Sequence, residues 1–471
     1  VLTPFGFRSI ADIAIGDQVC NPDGTVSRVI AVHDRGYQPG FKVTLQDGSF
    51  VYCDGDHLWP VKEAGKRARR KVARVDVSVL PDSPHRWNAE ACADYRNMPT
   101  TALKERVDAG AHMILPLTRP VATSLAQGRW PKLHPYVIGV ILGDGWVGST
   151  GGSGITCHTD DRHIVDRVRS LLPEGVKMAE KPNRFSWKLS RGIEEYAERD
   201  GLCGSRSWEK RIPKRLLFAT IEDRWALAQG LFDTDGYADD RGHVEYCTVS
   251  EGLAQDVAHL VRSLGFRATT TTKIGSYRDE NGEKVECRKT YRLYVQGDRK
   301  EELFSLPRKR ERAAIKVNGN DVMTGNRIVS IEPIGDWPAK CITVDHPNGL
   351  YVTDDFIVTH NSHLIRLKHL ICALQVPGYR GFIYRLTSDE LAMNHLEGPT
   401  SFPAMVAPWI ADGAVEYNIA KMMFTFHATG AVVRFRHMGD DRQLGQAQGP
   451  EFSGLSMDEL THFDERTYRW L

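Results

Sequence analysis

The sequence predicts a multidomain protein, in which an all-β domain is split by an α+β insertion with two repeats and is followed by part of an α/β domain. Runs of β-forming residues, separated by turn residues such as Asp-Gly at 23–24 and 47–48, fill the first hundred-odd residues and return at 328–361. The segment 119–318 mixes helical and strand-like patterns and repeats itself. Residues 362–471 differ again and open directly on an amphipathic helix. At 471 residues the chain is long enough for roughly three or more domains.

The composition is that of an ordinary globular protein, with 41% apolar and 26% charged residues. No apolar run approaches membrane-spanning length and no signal peptide is recognisable, so we expect a cytoplasmic protein without a membrane partner. The nine cysteines show no C-x-x-C spacing, which argues against a zinc site and against a disulfide framework. The formal net charge is +1, but the stretch 62–74 is strongly basic and could follow a phosphate backbone; a solvated loop is the alternative.

The most informative stretch is 351–362, Y-V-T-D-D-F-I-V-T-H-N-S, where a β-patterned run stops at His360, Asn361 and Ser362. The side-chain amide of an asparagine can attack the backbone carbonyl carbon of the same residue and form a succinimide, which releases the segment that follows. His360 is placed to polarise that carbonyl, and the hydroxyl of Ser362 can accept an acyl group. Taken alone, the tripeptide also fits an ordinary loop after an edge strand.

The start of the chain supplies the context for that tripeptide. It predicts strands at 18–20, 27–33 and 40–45. Its opening, V-L-T-P-F-G, resembles the first characteristic block of inteins, the self-splicing members of the Hedgehog/intein fold. In that family the block lies several residues inside the intein. The resemblance therefore implies that the N-terminal splice junction, and the segment joined to it in cis, lie upstream of Val1.

Two further blocks extend the resemblance. V-Y-C-D-G-D-H-L-W-P-V at 51–61 is similar to the second intein block, with His57 as the histidine that destabilises the N-terminal scissile peptide. Residues 328–361 are similar to the two last intein blocks without a gap. Many inteins have a threonine three residues before the histidine; here Asp54 stands in its place, a departure that bears on oxyanion support.

Three residues indicate a minority class of inteins, usually called class 3. The resemblance covers Trp59, two residues after the block-two histidine, Cys341, where most inteins have aspartate, and Thr359, before the terminal histidine. In that class the cysteine is the first nucleophile, and it forms a branched thioester with the upstream segment. A thiol suits this role because it is appreciably ionised near neutral pH and intrinsically nucleophilic. A buried strand cysteine is the alternative for Cys341 taken alone.

The inserted segment contains two similar copies of one pattern. Y-V-I-G-V-I-L-G-D-G-W in the first copy is echoed by A-L-A-Q-G-L-F-D-T-D-G-Y in the second, and the strand and helix patterns that follow are echoed as well. Gly139 and Gly230 would let the two helices pack closely. Each helix pattern ends in a carboxylate, Asp144 or Asp235, and close packing of the two helices would direct both carboxylates towards one shared point.

These copies resemble the LAGLIDADG homing endonucleases. The resemblance implies that the two carboxylates hold Mg²⁺ at double-stranded DNA, since oxygen ligands suit an ion that can activate water and stabilise the leaving oxygen. K-R-I-P-K-R is similar to the block that carries a catalytic lysine, for which Lys210 is the candidate. In the second copy Lys309 lies at a comparable distance, and Lys273 is its rival. A solvated basic face is the alternative for each lysine.

The last segment begins at the proposed acyl acceptor. Ser362 opens a helix as the serine of Gly-Lys-Ser does in a P-loop, and F-S-G-L-S-M-D-E-L places Asp458 and Glu459 at the end of an apolar strand, like a Walker B motif. This segment resembles the ATPase domain of a phage terminase large subunit. The resemblance implies ATP and Mg²⁺ as cofactors, with Ser362 on the metal, Asp458 reaching it through water and Glu459 activating the attacking water. A generic α/β domain is the alternative.

The sequence therefore predicts an all-β Hedgehog/intein splicing domain at 1–118 and 319–361, split by an α+β LAGLIDADG domain at 119–318 and followed by a partial α/β P-loop ATPase domain at 362–471. We expect a monomeric intein that needs no cofactor for splicing and that cuts the intein-less terminase gene, in a phage-infected or prophage-bearing bacterium. The spliced host would form oligomers at the procapsid portal. Two alternatives stay open: a DNA endonuclease with an inactive splicing domain, and a Hedgehog-like domain that cleaves without ligation, which the terminal asparagine and serine disfavour.

Overall fold

The structure is a computed structural model. It describes residues 1–64, 95–123, 133–148, 152–183, 185–315, 325–346, 349–360, 363–385, 387–397, 401–437 and 451–457. These residues fall into two compact units, of which the first comprises the described residues of Val1–His85 and Arg96–His360, and the second those of Arg86–Tyr95 and Asn361–Leu471. Within the described ranges, no helix combines the length and the apolar character needed to cross a membrane.

The described residues before the insertion form the first part of an all-β domain. They contain β1 (Leu2–Thr3), β2 (Gly6–Phe7), a 3-10 turn (Ile10–Asp12), β3 (Gln18–Cys20), β4 (Val26–Leu45), β5 (Phe50–Asp54), β6 (Leu58–Glu63), β7 (Arg96–Pro99), helix α1 (Thr100–Asp108) and β8 (Met113–Pro116). The predicted turns are present, with Gly24 at φ +89° and Gly48 at φ +86°. The prediction of separate strands at 27–33 and 40–45 is wrong, because β4 runs through both. Gly36, at φ +64°, and register shifts against its partner strand let β4 bend without ending.

The insertion consists of two copies of one unit. The first contains α2 (Pro135–Asp144), β9 (Gly145–Trp146), β10 (Ser153–Thr156), a 3-10 turn (Thr159–Asp161), α3 (Arg162–Leu171), β11 (Met178–Glu180), β12 (Ser186–Leu189) and α4 (Ile193–Arg199). A short helix, α5 (Lys214–Leu217), leads to the second, which contains α6 (Ile221–Asp235), β13 (Gly236–Ala238), β14 (Val244–Thr248), α7 (Glu251–Ser263), β15 (Arg267–Arg278), β16 (Lys284–Gln296), a 3-10 turn (Lys300–Leu303) and α8 (Pro307–Ala313). The two antiparallel sheets have the matching orders β11-β12-β10-β9 and β15-β16-β14-β13.

The chain then returns to the all-β domain. It adds β17 (Gly325–Val344), β18 (Leu350–Val352), a 3-10 turn (Asp354–Phe356) and β19 (Val358–His360). Nine of the described strands form one sheet of order β18-β19-β6-β8-β17-β4-β3, with β5 beside β4 and β7 beside β6, and β1 and β2 form a separate two-stranded sheet. β17 pairs with β4 from Ile328 opposite Leu45 to Val344 opposite Val29. Strands from the two sides of the insertion therefore alternate within one domain.

The second unit is a mixed α/β structure. It contains α9 (His363–Gln375), β20 (Arg380–Arg385), α10 (Ser388–Leu391), a π-helical turn (Ala392–Leu396), α11 (Phe402–Ala411), β21 (Val415–Asn418), β22 (Met423–Phe426), β23 (Ala431–His437) and β24 (Gly454–Met457). In the sheet order β21-β22-β23-β20-β24, β20 is parallel to both of its neighbours, and the other pairs are antiparallel. The P-loop ATPase assignment of this unit stays a prediction.

Candidate functional site

Strand pairing joins two sequence blocks that were predicted to act together. β19 lies against β6, with His360 opposite Leu58. Next to that pair, Oγ1 of Thr359 is hydrogen-bonded to Nε2 of His57, across 302 positions of sequence. Thr359 is fully buried and His57 is half-buried. Two predicted site residues from opposite sides of the insertion are thus in direct contact.

Trp59 and Thr100 support His57. The Trp59 ring is fully buried and packs edge-on against the imidazole, with centroids 4.8 Å apart. Its Nε1 donates to Oγ1 of Thr100 at 3.0 Å, and that hydroxyl donates to the carbonyl oxygen of His57 at 3.1 Å. The amide of Thr100 donates to the same carbonyl at 3.0 Å. Thr100 thus fixes both the backbone of His57 and the ring of Trp59. The sequence did not single out Thr100, because a threonine at the start of a helix is common.

The electrostatic environment keeps His57 neutral. Burial lowers the pKa of His57 to about 4, while the nearby Asp54 acts to raise it and Arg35 to lower it. A neutral imidazole can donate at one ring nitrogen and accept at the other. Asp54, where many inteins have threonine, is paired with Arg35 at 2.9 Å, and Arg35 also reaches Asp56 at 2.8 Å. The guanidinium offsets a carboxylate that would otherwise repel a developing oxyanion.

Cys341 lies near the end of β17, opposite His33 of β4, and is half-buried. Its link to the histidine region is Tyr351 of β18. Tyr351 pairs with Thr359 in the β18–β19 ladder. Burial raises the pKa of the Tyr351 hydroxyl, and the charge of Cys341 adds to that rise, which indicates that the two side chains are near each other. The charge of Cys341 thus acts on the buried tyrosine that pairs with Thr359.

The remaining predicted residues of splicing and of the host ATPase are Asn361, Ser362, Asp458 and Glu459. All of them lie outside the described residues, as do positions 65–74 of the basic stretch.

In the insertion, the two repeat helices α2 and α6 meet at their glycines. A Cβ atom on Gly139 would lie 2.5 Å from the carbonyl oxygen of Leu227 and 2.8 Å from the amide nitrogen of Leu231. A Cβ atom on Gly230 would collide with the carbonyl oxygen of Tyr136. Backbone lies against backbone here, so the close approach expected of these glycines is observed, and a larger residue does not fit without moving a helix.

This packing brings the C-terminal ends of the two helices together. Asp144 stays exposed on one side, and Asp235 is half-buried. Loss of surrounding water raises the pKa of both carboxyls; that of Asp235 reaches about 7, and the negative charge of Asp144 adds to the rise. Lys210 and Lys309 act in the opposite direction on both carboxyls. The four predicted endonuclease residues therefore share one electrostatic site.

Each lysine caps the C-terminal end of one repeat helix, where backbone carbonyl oxygens lack helical partners. Nζ of Lys210 donates at 2.9–3.0 Å to the carbonyl oxygens of Ile141, Gly143 and Gly145. Nζ of Lys309 donates at 2.7–3.2 Å to the carbonyl oxygens of Phe232, Asp233, Thr234 and Gly236. Burial lowers the pKa of both lysines, and nearby carboxylates counteract it. Lys309 thus takes in the second copy the place of Lys210 in the first, whereas Lys273 is exposed on β15.

The chemistry of this site fits a hard cation. Asp144 and Asp235 offer oxygen ligands, which Mg²⁺ prefers. Among the residues that the structure describes, no group of three or more acidic, histidine or cysteine side chains could hold a metal ion. Two carboxylates would therefore leave most coordination positions to water and to phosphate oxygens of DNA.

Comparisons with known proteins bear on both sites. A family model described as a LAGLIDADG-like domain matches residues 224–305, within the second copy. The replicative DNA helicase DnaB of Mycobacterium intracellulare is 28% identical over 374 residues, which are 77% of this chain and 57% of the helicase. The homothallic switching endonuclease of Saccharomyces cerevisiae is 36% identical over 95 residues, 19% of this chain and 16% of that enzyme.

Among solved structures, the MchDnaB-1 intein is 34% identical to the matched part, with a TM-score of 0.13, and the match covers 13% of this chain and 48% of that intein. The gp41-1 intein is 33% identical with a TM-score of 0.12, over 13% of this chain and 47% of that one. The chain spans little more than half the length of the helicase that it matches. The family model and the sequence relatives, with the strand pairing described above, support an intein-like splicing domain that carries a LAGLIDADG endonuclease.

Proposed function

We propose that this chain is a class 3 intein that excises itself, ligates the flanking segments and carries a Mg²⁺-dependent homing endonuclease. The observation that carries the proposal is the contact between Thr359 and His57, made by strands from the two sides of the insertion. The contact joins two residues that the resemblance assigns to splicing, one from each side of the insertion. Further support comes from Trp59, which packs on His57, and from Cys341, whose charge acts on the buried Tyr351.

Splicing in this scheme requires acyl transfers and one cyclisation, with no nucleotide and no oxidant. The thiolate of Cys341 attacks the carbonyl carbon at the upstream junction; the peptide C–N bond breaks, the leaving amine takes up a proton, and a thioester remains. The hydroxyl of Ser362 then takes the acyl group as an ester, and its proton returns to the Cys341 sulfur. The side-chain amide nitrogen of Asn361 attacks the backbone carbonyl carbon of the same residue and loses a proton. The peptide bond to Ser362 breaks, and the nitrogen of Ser362 takes up a proton. The freed amine of Ser362 finally takes the acyl group from its own oxygen and forms a peptide bond.

The neighbouring side chains hold and move protons in these steps. A neutral His57 can accept a proton at one nitrogen while it donates at the other, and the partner of Nε2 helps to set which nitrogen carries the proton. Thr359 is that partner. His360, the last residue of β19, is adjacent in sequence to Asn361 and would polarise the Asn361 carbonyl during cyclisation.

For DNA cleavage, we propose that Asp144 and Asp235 hold Mg²⁺ and that Lys210 and Lys309 stabilise the helix ends that carry them. The bound ion would supply an activated water and stabilise the leaving oxygen. Because the pKa of Asp235 is about 7, cation binding must displace a proton from part of the molecules at neutral pH. Cleavage at limiting Mg²⁺ should therefore increase as the pH rises through that value. The proposed substrate is double-stranded DNA of the uninterrupted host gene.

The host segment is proposed to be the ATPase domain of a phage terminase large subunit, interrupted inside its P-loop. Support comes from the sequence resemblance and from the second unit, where β24 ends directly before Asp458 and runs parallel to β20. After splicing, Mg²⁺ would be held by Ser362 and, through water, by Asp458. Glu459 would activate the water that attacks ATP. The spliced protein would assemble at a procapsid portal.

The splicing proposal is tested on the full gene product with its native upstream segment. Cys341→Ala is expected to stop both N-terminal cleavage and ligation, because it removes the first nucleophile. Cys287→Ala, which changes an exposed cysteine of β16, is the matched control and should splice normally. Ligated product from Cys341→Ala would contradict the class 3 assignment. Fragments without ligated product from the wild type would favour the Hedgehog-like alternative, and an inert wild type would favour the endonuclease with an inactive splicing domain.

The endonuclease proposal is tested on duplex DNA that carries the uninterrupted host gene. Asp144→Asn and Asp235→Asn should each abolish Mg²⁺-dependent double-strand cutting while DNA binding survives. Asp166→Asn, at a 67% exposed side chain of α3, is the matched control and should cut normally. A wild-type protein that leaves this DNA intact with Mg²⁺ present would show that the proposed nuclease activity is wrong.

A further inference from the structure

The segment that leads into β19 is a tight turn with two residues in an unusual backbone conformation. Asp355 and Phe356 have φ angles of +53° and +61°, a region that bulky L-residues avoid. Phe356 is also buried. Such a conformation persists only where the surrounding structure holds it. Whatever holds this turn therefore bears on the position of Thr359 and His360, which follow it in β19.

An arginine from the inserted domain holds the turn. Arg262, near the C-terminal end of α7, donates from Nη1 to Oδ1 of Asp355 at 2.8 Å, and its Nη2 lies 3.0 Å from Oδ2 of Asp47. Asp47 belongs to the turn between β4 and β5 and is buried. The side chains of Arg262 and Asp47 are 13% and 3% exposed, so their ion pair is largely shielded from water. The Asp355 side chain is 42% exposed, so its pair with Arg262 lies at the surface. One guanidinium thus joins two turns of the all-β domain to a helix of the insertion.

The same helix supplies an aromatic contact to the turn. His259, one helical turn before Arg262, packs edge-on against the ring of Phe356, with centroids 5.0 Å apart. Phe7 of β2 approaches the same ring at 5.5 Å, also edge-on, and contacts His259 at 5.9 Å. Phe356 therefore lies in an aromatic cluster to which both domains contribute.

Helix α7 is itself fixed within the inserted domain. Both oxygens of Asp256 accept hydrogen bonds from Arg211, each at 2.7 Å. At the start of the helix, Oγ of Ser250 donates to the carbonyl oxygen of Lys210 at 2.8 Å. A regular helix of 13 residues therefore runs from the Lys210 segment to the turn at Asp355.

We propose that Arg262 is a positioning residue for the C-terminal step of splicing. By holding Asp355, it keeps β19 in the position that sets Thr359 against His57 and His360 next to the scissile bond. The inference rests on the splicing function proposed above and goes beyond it, since it makes splicing depend on a side chain of the endonuclease domain. Reactions of this kind are sensitive to small displacements, and a shift of about 1 Å can lower a rate about a hundredfold.

The test compares two half-reactions of one precursor, the full gene product with its upstream segment. Added dithiothreitol exchanges with the Cys341 thioester, so that the upstream segment leaves as a thioester of dithiothreitol and the cysteine thiol is restored. Release of the downstream segment reports cyclisation of Asn361. Arg262→Ala is expected to slow downstream release at least about tenfold and to change dithiothreitol cleavage less than about twofold. Arg262→Lys, which keeps the positive charge, should restore part of the rate of downstream release.

Two further variants separate positioning from loss of structure. Arg292→Ala is the matched control, because Arg292 donates from two nitrogens to Glu245 entirely within the inserted domain; both half-reactions should be unchanged. Asp355→Asn keeps the size of the side chain but removes its charge, and should slow downstream release as Arg262→Ala does.

Three results would overturn the inference. The first is equal downstream release in the wild type and Arg262→Ala. The second is an equal fall of both half-reactions in Arg262→Ala together with a normal rate in Asp355→Asn, which would indicate a general structural role. The third is a wild-type precursor that reacts at neither junction; in that case the proposed splicing function is itself wrong, and the inference falls with it.

Discussion

Gly139→Ala should loosen the helix pair at the centre of the inserted domain. The new Cβ would stand 2.5 Å from the carbonyl oxygen of Leu227 and 2.9 Å from Cα of Gly230. The first distance is about 0.9 Å shorter than the 3.4 Å at which ordinary contact begins. Both neighbours are backbone atoms of α6, which cannot rotate away as a side chain could. The strain must therefore be relieved by moving α2 and α6 apart.

The magnitude follows from two opposing effects. Extra volume forced into a packed core destabilises by about 1–3 kcal/mol, and the upper end applies here because backbone meets backbone. Alanine is a better helix former than glycine, which returns about 1 kcal/mol. The net loss is then about 2 kcal/mol, which for a domain of roughly 200 residues lowers Tm by about 4–8 °C.

Calorimetry on the full chain would follow the unfolding of the inserted domain, and DNA cleavage would report whether Asp144 and Asp235 stay aligned. Gly275→Ala is the matched control, because the nearest atom to its new Cβ, the Cys287 sulfur, is 3.8 Å away. That change should stay within about 0.5 kcal/mol of the wild type. If Gly139→Ala melted at the temperature of Gly275→Ala and cut DNA equally well, the close helix contact would not be needed for stability or alignment.

Lys309→Met should abolish DNA cleavage and Lys273→Met should leave it intact, since of these two only Lys309 caps a repeat helix; equal cleavage rates would contradict this. The pKa of His57 falls from its usual 6.5 to about 4 on folding, so the unfolded chain binds more protons between those values, and the stability present above pH 6.5 is lost as the pH falls towards 4. The loss of stability is about 3 kcal/mol at most and is measured as the fall of Tm with falling pH. The Tm of His57→Gln should fall less steeply over this range, and parallel Tm curves for the variant and the wild type would refute the prediction. A precursor locked by Asn361→Ala should not hydrolyse ATP, and a rate near that of spliced protein would refute the interrupted P-loop.

The sequence predicts those parts of the structure that depend on the spacing of nearby residues and on the internal repeat. Glycines at helical spacing before an Asp-Gly end predict two close helices, and they meet at Gly139 and Gly230. The repeat predicts two matching sheets, which are present. The predicted break between the strands at 27–33 and 40–45 is absent, because β4 runs through both. In β4 a glycine with positive φ and register shifts bend one long strand against β17.

The supports of the site come from positions that no local pattern distinguishes. Thr100 reaches His57 and Trp59 from 43 and 41 positions away, and Arg35 reaches Asp54 across a strand pair. These contacts depend on which strands become neighbours. That is decided by burial summed over the whole domain, so a sequence pattern can name the reacting groups and still leave out the side chains that orient them.

The way in which the insertion joins the all-β domain explains how one domain can reside within another. β8 leads out of the all-β domain and β17 leads back in, and the two strands are paired, with Pro116 opposite Gly325. The ends of the insertion are therefore adjacent strands, so the sheet closes across it.

The insertion is nevertheless not a passive loop. The fully buried Arg224 of α6 donates to the carbonyl oxygens of Ala219, Ser263 and Val121, and Val121 belongs to the segment that follows β8. Loss of the Val121 carbonyl would leave part of this buried guanidinium without an acceptor, which is destabilising, so docking of the connecting segment stabilises the inserted domain. Folding of the two domains is thereby coupled at the joint as well as at the turn that leads into β19.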